Sequence, residues 1–406
     1  MGVGNCGTTA VNQVTGALTR NVFNGEFGQA YVATNLDLKG KFDTGPLNHS
    51  TLMGFDYYYM DAPVSPFIQG PATANALPSF NIYAPVYGSN LAGVKPNTFF
   101  VNSEGWKGVY AQDMISFWDN KVHLLLGGRY DWAEIEDQPI LNNPLLADWT
   151  RVFQWSKAFS PRIGLTYQPL PWLSLYGNYT KSLSDNNGLT NGTPLPPITS
   201  YQYEGGMKAE LLDKRLLLTL AYFDITKTNI PGPDPTNPTN TLIAGKAESK
   251  GVEFDLKGRI NDNWSVIANY THDDARVVSG SLYNPLTEIT NEYFIAGNRL
   301  VSVPKDMGNL WLKYDADGPF KGLSAGGGVS IIGSSFGDNA NSFVLPSYAI
   351  VNGMLAYRFA LGPTHVTAQI NVKNLLDTTY YAASQTRFQI TPGTPRTVLG
   401  SLRVEF

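Results

Sequence analysis

The sequence has 406 residues, of which 15% are charged and 12% aromatic, and its formal net charge is -4 at neutral pH. The charge argues against a nucleic-acid partner because no basic stripe is present, and the single cysteine, Cys6, with four widely separated histidines offers neither a disulfide framework nor metal-ligand spacing. No apolar run approaches the ~18 residues of a transmembrane helix, which excludes helical membrane spans.

The first residues carry no pattern of a folded element. Gly2 to Gly7 match a G-x-G-x-x-G motif, but no strand precedes them and no helix pattern follows, so a dinucleotide site is not indicated. A positive n-region and an apolar h-region are both missing, and no signal peptide is found. We therefore expect a disordered or partial segment over residues 1–14, one domain over residues 15–406, and a truncated or partial chain.

From about residue 15 onward, the pattern predicts roughly sixteen amphipathic strands of about 8–16 residues. Apolar and polar side chains alternate clearly over residues 121–131, 264–271 and 364–374, and again in the last twelve residues, Pro395 to Phe406. Such alternation suits a wall with one face in lipid. A slip by one residue would place Arg129 or Lys373 in lipid at a cost of about 2–4 kcal/mol, so the register is well specified.

The connections between the predicted strands fall into two classes. Tight turns are predicted at residues 43–46, 119–120, 168–171, 213–214, 261–263, 317–319 and 362–363. Longer loops are predicted at about residues 62–102, 137–152, 183–199, 229–246, 277–299, 336–345 and 375–394. Within them, the proline-rich residues 229–240 are predicted to form a loop tip. Short turns at one end and long loops at the other are typical of outer-membrane barrels.

Aromatic residues near the predicted strand ends support the same fold. Trp118, Trp172, Trp264 and Trp311 flank strand ends or apolar stretches, where an aromatic girdle is expected, although packing in an ordinary core would also explain any one of them. The sequence predicts an all-β protein, a transmembrane antiparallel up-and-down β-barrel with about sixteen strands present.

Phrases along residues 28–406 resemble the barrel of the TonB-dependent outer-membrane receptors, in particular the ferric-siderophore receptors. The phrases are Gly127-Gly-Arg-Tyr-Asp131, Ser160-Pro-Arg-Ile-Gly-Leu-Thr-Tyr167, Leu173-Ser-Leu-Tyr-Gly-Asn-Tyr179, Tyr203-Glu-Gly-Gly-Met-Lys208, Ala221-Tyr-Phe-Asp-Ile-Thr226, Lys250-Gly-Val-Glu-Phe-Asp255, Val303-Pro304 before Leu310-Trp-Leu312, Asn371-Val-Lys-Asn-Leu-Leu-Asp377 before Tyr380-Tyr381, and the closing Pro395 to Phe406. Each phrase is weak alone, but their order is specific.

The resemblance implies a monomeric receptor in the Gram-negative outer membrane, surrounded by bilayer lipid and lipopolysaccharide, that takes up ferric siderophores with energy from TonB. Receptors of this kind have about 22 strands, a plug and a TonB-coupling box. About six strands, the plug and the coupling box are not found, so we expect the C-terminal part of such a receptor. A passive sixteen-stranded porin-like pore remains the alternative, because sixteen is an even number.

The resemblance also implies aromatic contacts to a ferric-siderophore chelate near the long loops, with no resident cofactor. The candidate ligand-binding residues are Trp106, Trp132, Trp155, Tyr201, Tyr203, Tyr381 and Phe388. For each, a place in the girdle or in loop packing is the alternative. Arg129 and Arg162 are expected to face the lumen and to pair with acidic residues. No catalytic or metal site is predicted, since His272 beside Asp273 has no supporting nucleophile motif.

Overall fold

The structure of the protein is a computed structural model. The structure describes residues 15, 17–18, 22–25, 28–70, 80–85, 98–137, 152–186, 189–190, 193–233, 241–280, 295–386 and 389–406. These residues are almost all in strands, with one short 3-10 helix, Gly318–Phe320, and no α-helix. No helix in these ranges is long and apolar enough to cross a bilayer. The predicted N-terminal segment, residues 1–14, lies outside the described residues.

The described strands are numbered in chain order. The first twelve are β1 (Ala17–Leu18), β2 (Val22–Gly25), β3 (Ala30–Thr44), β4 (Leu47–Gly70), β5 (Phe80–Asn81), β6 (Thr98–Phe117), β7 (Val122–Asp137), β8 (Val152–Leu170), β9 (Leu173–Ser184), β10 (Leu189–Thr190), β11 (Thr193–Pro194) and β12 (Ile198–Leu211). The others are β13 (Leu216–Pro233), β14 (Thr241–Arg259), β15 (Trp264–Ser279), β16 (Asp306–Asp315), β17 (Leu323–Ile332), β18 (Ser335–Phe336), β19 (Val344–Leu345), β20 (Tyr348–Leu361), β21 (Thr364–Lys373), β22 (Tyr381–Thr386), β23 (Gln389–Pro392) and β24 (Thr397–Glu405).

Sixteen of the described strands form one sheet, as the sequence predicted. Its hydrogen-bonded order is β2-β4-β6-β7-β8-β9-β12-β13-β14-β15-β16-β17-β20-β21-β24, and β3 pairs with β4. Strands adjacent in the sheet therefore follow one another closely in the chain, and these neighbours pair in antiparallel register, as in β12 with β13, β13 with β14 and β21 with β24. The remaining short strands pair as separate hairpins, such as β10 with β11 and β22 with β23.

Several strands are longer than the sequence predicted. Residues 62–70 and 98–102, expected in a loop, belong to β4 and β6, and the expected loop at 375–394 contains the β22–β23 hairpin. The prediction of a proline-rich loop tip over residues 229–240 is also wrong in part, because Asn229 to Pro233 continue β13. Backbone pairing persists there without apolar alternation, and register shifts around Ile230 accommodate the prolines.

Tight turns close the strand pairs at the predicted places. Residues 212–214 and 118–120 all adopt positive φ, between 52° and 67°, a conformation that Asn and Asp tolerate better than most residues. The turn predicted over residues 168–171 is shorter than expected, because β8 runs to Leu170. Long connections follow the other ends of the same strands, so the predicted sorting of turns and loops is present in the described chain.

The chain divides into two compact units. Unit 1 contains the described residues within Met1–Lys39, Leu52–Ala111 and Arg129–Phe159, and unit 2 contains those within Gly40–Thr51, Gln112–Gly128 and Ser160–Phe406.

In unit 2 the registers define two faces of the sheet. Glu204 lies opposite Asn178 and Phe223, and Glu253 lies opposite Ala221 and Thr271. The face that contains these residues, here called the polar face, also contains the following residues: Tyr176, Asp255, Asn269, Asn309, Ser330, Asn352, Asn371, Gln369 and Ser401. Adjacent strand residues point to opposite faces. The opposite face, here called the apolar face, therefore holds the following residues: Leu165, Leu218, Leu220, Tyr222, Val252, Phe254, Leu256, Leu310, Ile331, Leu355, Ile370 and Leu402.

This division confirms the alternation predicted for the last strand. Val398, Leu402 and Val404 lie on the apolar face, whereas Ser401 and Arg403 share the polar face with Gln369. Most of these apolar side chains are exposed, for example Val398 at 65% and Leu402 at 69%. An exposed apolar face of this kind is what a lipid-facing wall requires.

The proposed aromatic girdle is present at the turn ends, with one correction. Trp118 and Trp172 lie in tight turns and Trp264 begins β15, and all three are exposed. Trp311 is different, because it lies in the middle of β16 opposite Ile267, on the polar face. Its ring covers Gly326, where an added Cβ would lie 2.8 Å from Cζ2 of the indole. Trp311 therefore packs over a glycine-rich strand and does not belong to the girdle.

Candidate ligand-binding surface

The polar residues of unit 1 gather around Arg129 on β7. Its Nη2 donates a hydrogen bond to Oδ1 of Asp56 at 2.8 Å, its Nη1 donates to the other oxygen of Asp56, and its Nε donates to Asp131 at 2.6 Å. The guanidinium also lies 5.6 Å from the ring centroid of Tyr110, whose hydroxyl donates to Asp37. The prediction that Arg129 pairs with acidic residues is confirmed, and its charge is already neutralised.

A glycine makes room for this cluster. A Cβ on Gly108 would lie 1.9 Å from Nη2 of Arg129, and the ion pairs leave the guanidinium little freedom to move away. Trp106 is two residues from Gly108 on the same strand, so it lies on the face that carries Arg129. Its indole N–H donates to the side chain of Glu104. Trp106 is thus a half-buried aromatic residue beside the charged cluster.

Trp132 and Trp155 lie on the other face of unit 1, in what we call the aromatic groove. The groove has a volume of about 880 Å³ and is lined by Phe55, Tyr57, Tyr59, Ser103, Gly105, Lys107, Val109, Trp132, Ala133, Glu134, Trp155, Ser156 and Lys157. Trp155 is 71% exposed, whereas its neighbours Gln154 and Ser156 are buried. Strand alternation thus places both tryptophans away from Arg129.

Tyr201 and Tyr203 lie together on the apolar face of unit 2. The ring centroids of Tyr203 and Tyr179 are 4.9 Å apart, and those of Tyr201 and Tyr203 are 6.2 Å apart. On the same face, Tyr203 lies opposite Asp224, which forms an ion pair of 3.3 Å with Lys250. The rings therefore lie at the boundary between apolar and charged side chains, where girdle aromatics are expected.

Tyr381 begins the β22–β23 hairpin, beyond the end of β21, and is 44% exposed. The predicted residue Phe388 lies outside the described residues. The structure thus brings Trp132 and Trp155 into one groove and Tyr201 and Tyr203 into one edge-to-face pair, while Trp106 and Tyr381 lie elsewhere. Arg162 lies opposite Thr180 on the polar face of unit 2, as expected.

Sequence reasoning missed a buried asparagine that anchors the hairpin carrying Tyr381. Asn374 is 2% exposed, and its Nδ2 donates to the carbonyl oxygens of Thr378 at 2.9 Å and Thr394 at 3.1 Å. Its Oδ1 accepts a hydrogen bond from the backbone N–H of Thr378, and its own N–H donates to Asn352. Asn374 directly follows the end of β21 and adopts a positive φ of 51°. Asparagine favours that conformation, so an asparagine at the end of a predicted strand was the signal available in the sequence.

Further hydrogen bonds tie neighbouring loops of unit 2 to one another. The hydroxyl of Ser302 donates to the carbonyl oxygen of Ser384 at 2.6 Å and accepts from its N–H at 2.8 Å. The side chain of Asn341 likewise accepts from the N–H of Arg299 and donates to its carbonyl oxygen. The described loops at this end are therefore held in place by specific polar contacts.

The residues considered for a hydrolytic site do not come together. His272 points to the apolar face, where its Nδ1 lies 2.7 Å from Oδ1 of Asp306, whereas Asp273 points to the polar face and accepts from Ser249. In the described chain, no group of three or more His, Cys, Asp or Glu side chains is placed to hold a metal ion.

Residues 5–375 match a family model described as "TonB dependent receptor-like, beta-barrel". The chain is 33% identical over 384 residues to the metal-pseudopaline receptor CntO of Pseudomonas aeruginosa, covering 92% of this chain and 51% of that protein. It is 30% identical over 383 residues to the ferrichrome outer membrane transporter/phage receptor of Escherichia coli, covering 92% and 48%. The chain thus spans about half the length of these relatives.

Among solved structures, the fold is similar to that of the siderophore receptor PiuA from Acinetobacter baumannii, with a TM-score of 0.80 and 25% identity. That match covers 96% of this chain and 58% of the other. The sixteen-stranded antiparallel sheet therefore has the fold of the β-barrel of such receptors.

Proposed function

The chain belongs to the TonB-dependent receptor family of outer-membrane β-barrels, and from this we propose that it is part of a receptor that takes up ferric siderophores across the outer membrane. TonB would supply the energy through a part of the receptor that precedes the barrel. The substrate is a ferric chelate, so iron is cargo and not a resident cofactor. We further propose that the receptor acts as a monomer and in transport, not in catalysis.

The single observation that carries this proposal is that the sheet of unit 2 has one apolar and one polar face and that its loops at one end are held together by hydrogen bonds. In unit 2 the apolar face suits lipid, while the polar face carries hydrogen-bonding side chains such as Tyr176, Glu204 and Asn309. Beyond the strands, Asn374 and the Ser302–Ser384 contacts fix loops around Tyr381. Fixed loops suit recognition of a rigid chelate, because little ordering entropy is lost on binding.

Within the predicted set, the placement favours Trp106 and Tyr381 as contacts to the chelate. Trp106 shares the face of the Arg129 cluster, and Tyr381 lies on a loop hairpin. An indole or phenol ring offers a flat apolar surface with one hydrogen-bonding edge, which suits a partly apolar chelate. Phe388 remains a candidate by its position in the same hairpin region of the sequence.

The proposal is tested by iron uptake. A strain that lacks its own ferric-siderophore receptors would express the complete gene product, and uptake of radiolabelled iron would be measured with ferrichrome, ferrioxamine B and a catecholate chelate. We expect saturable uptake of at least one chelate, abolished when TonB is deleted. Uptake that neither saturates nor needs TonB would contradict the proposal and favour the passive pore.

A further inference from the structure

Three apolar side chains, Trp311, Ile267 and Met354, lie together on the polar face of unit 2 and form what we call the apolar platform. Trp311 lies opposite Ile267 on β15 and opposite Gly328 on β17. In a membrane barrel, the face opposite the lipid-facing one lines the lumen. We propose that the platform contacts the chelate inside the lumen and that the substrates of the receptor are uncharged or cationic ferric hydroxamates. This inference rests on the proposed transport function and names its substrate class.

Two glycines of β17 make room for the indole of Trp311 on this face. An added Cβ on Gly326 would lie 2.8 Å from Cζ2 of the indole, and one on Gly328 would lie 2.6 Å from its Cε3. These two atoms are at opposite ends of the six-membered ring, so the ring spans both glycines. Trp311 is only half-buried, and the surface of the ring that does not cover β17 is therefore available to a ligand.

The other members of the platform extend this apolar surface. Met354 lies on β20 with its Cε 3.4 Å from the Cβ position of Gly326, next to the indole of Trp311. Ile267 is 54% exposed, and Leu399, on the same face of β24, is 57% exposed. Exposed apolar side chains are expected on the lipid-facing side of such a wall, whereas the lumen side is polar. Their presence here indicates a surface for a partly apolar ligand.

The side chains next to Trp311 on its own face add hydrogen-bonding groups without net charge. Asn309, two residues before Trp311, donates through Nδ2 to Oδ1 of Asn269 at 2.9 Å. Lys313, two residues after Trp311, forms an ion pair of 2.7 Å with Asp315. Amide groups beside an apolar surface suit an uncharged ligand that offers carbonyl oxygens and N–H groups.

Carboxylates on the neighbouring strands disfavour anionic ligands. Glu204 on β12 and Glu253 and Asp255 on β14 share the polar face, and in the part of the chain that the structure describes none of the three has an ion-pair partner. Lys208 and Lys257 lie on the same strands and face, but they are fewer than the carboxylates. The excess negative charge repels an anion and attracts a cation.

The charge of a ferric chelate depends on its ligand groups. Each hydroxamate carries one negative charge, so three of them neutralise Fe(III). Each catecholate carries two, so a ferric tris-catecholate has three negative charges in excess. The carboxylates therefore disfavour the tris-catecholate, whereas an uncharged tris-hydroxamate can approach the wall and pack its aliphatic parts against the platform.

The test is TonB-dependent uptake of radiolabelled iron by the complete gene product in a strain without other ferric-siderophore receptors, corrected for the amount of folded receptor. The probes are ferrichrome, an uncharged tris-hydroxamate, and ferric enterobactin, a tris-catecholate. We expect the wild type to take up ferrichrome at least about 10-fold faster than ferric enterobactin. Because the platform lies within the strands and not in the loops, Trp311→Ala and Ile267→Asn should each lower the maximal rate about 5-fold and leave the half-saturating concentration unchanged.

Matched variants separate contact with the chelate from a structural role. Trp311→Phe keeps an aromatic ring and should retain most of the maximal rate. Trp264→Ala removes the same side chain from the apolar face of the adjacent strand and should transport ferrichrome as the wild type does. The double variant Glu253→Gln and Asp255→Asn should raise uptake of ferric enterobactin relative to ferrichrome about 5-fold.

Three results would overturn the proposal. The first is a maximal rate of ferrichrome uptake that neither Trp311→Ala nor Ile267→Asn lowers. The second is an equal loss in Trp311→Ala and Trp264→Ala, which would assign the loss to the fold. The third is uptake of ferric enterobactin as fast as that of ferrichrome and unchanged by the double variant. TonB-dependent uptake of ferric enterobactin alone would overturn this inference but support the proposed transport function, whereas no TonB-dependent uptake of any chelate would contradict both.

Discussion

The guanidinium of Arg129 and the carboxylate of Asp56 face each other in a two-point contact between residues 73 positions apart in the chain. Both side chains are about one-third exposed, so the pair is only partly shielded from water. Asp56→Asn removes the charge but keeps the shape. We expect it to lower the free energy of unfolding by about 1–2 kcal/mol, between the values for exposed and buried pairs.

Unfolding by guanidinium chloride in detergent, followed by circular dichroism, measures this loss of free energy of unfolding. Asp213→Asn, in an exposed tight turn, is the matched control and should unfold as the wild type does. If both variants unfold at the same denaturant concentration, the Arg129 cluster contributes nothing to stability.

The buried asparagine at the base of the β22–β23 hairpin provides a second prediction. Asn374→Asp preserves the acceptor for the N–H of Thr378 but loses both donors to the carbonyl oxygens of Thr378 and Thr394. It also buries a charge, so we expect a loss of about 3 kcal/mol and faster proteolytic cleavage within residues 375–394. Asn371→Asp keeps its acceptor role toward Gln369 and should be cleaved at the wild-type rate.

The loop carboxylate of Asp377 predicts a pH dependence. It accepts a hydrogen bond from the backbone N–H of Arg396 and pairs with the guanidinium of the same residue, which together hold the pKa of Asp377 below its ordinary value. A carboxyl group whose pKa is depressed in the folded state stabilises the fold at pH values above its ordinary pKa. This contribution is lost as the pH falls through the pKa of the folded state. The Asp377–Arg396 contact should therefore be fully present at neutral pH and lost in acid.

Asp377→Asn tests this dependence, and asparagine also tolerates the positive φ of 56° at this position. The thermal midpoints of wild type and variant should differ at about pH 6 and converge at about pH 2. A difference that is equally large at both values would show that the carboxylate charge is not responsible.

The assignment of the two faces predicts opposite effects of the same substitution at adjacent residues. Leu220 lies on the apolar face, four residues after the start of β13, and Thr219 lies on the polar face opposite Asp255. Leu220→Lys should cost about 2–4 kcal/mol on insertion, whereas Thr219→Lys should cost little. Folding yield into phosphatidylcholine vesicles measures both, and equal yields would contradict the face assignment.

Much of the fold follows from the sequence because a strand with one face in lipid must alternate. The polar and apolar sets along residues 264–271 and 364–374 lie on the faces predicted for them. Strand ends were predicted less well, since pairing in β13 continues through Pro231 and Pro233 without any alternation to reveal it. Trp311 was misplaced because its apolar neighbours hid the fact that it covers Gly326 and Gly328.

The candidate site was harder to predict than the fold. An aromatic residue in the sequence carries no sign of which face it occupies unless its strand register is known, so Trp106 and Trp132 were grouped together although they lie on opposite faces of unit 1. Asn374 and Ser302 were missed because their partners, Thr394 and Ser384, are remote in sequence. The pairing registers of a strand with both of its neighbours must be known before the face and the contacts of one of its residues can be assigned.

Equilibrium binding of ferric siderophores to the complete gene product in detergent tests whether this chain is part of a ferric-siderophore receptor. We predict saturable binding of at least one chelate, weakened about 10-fold by Trp106→Ala and unchanged by Trp132→Ala, which serves as the matched control on the opposite face. If no chelate binds saturably, or if Trp132→Ala weakens binding and Trp106→Ala does not, the account of the receptor and of its two faces is contradicted.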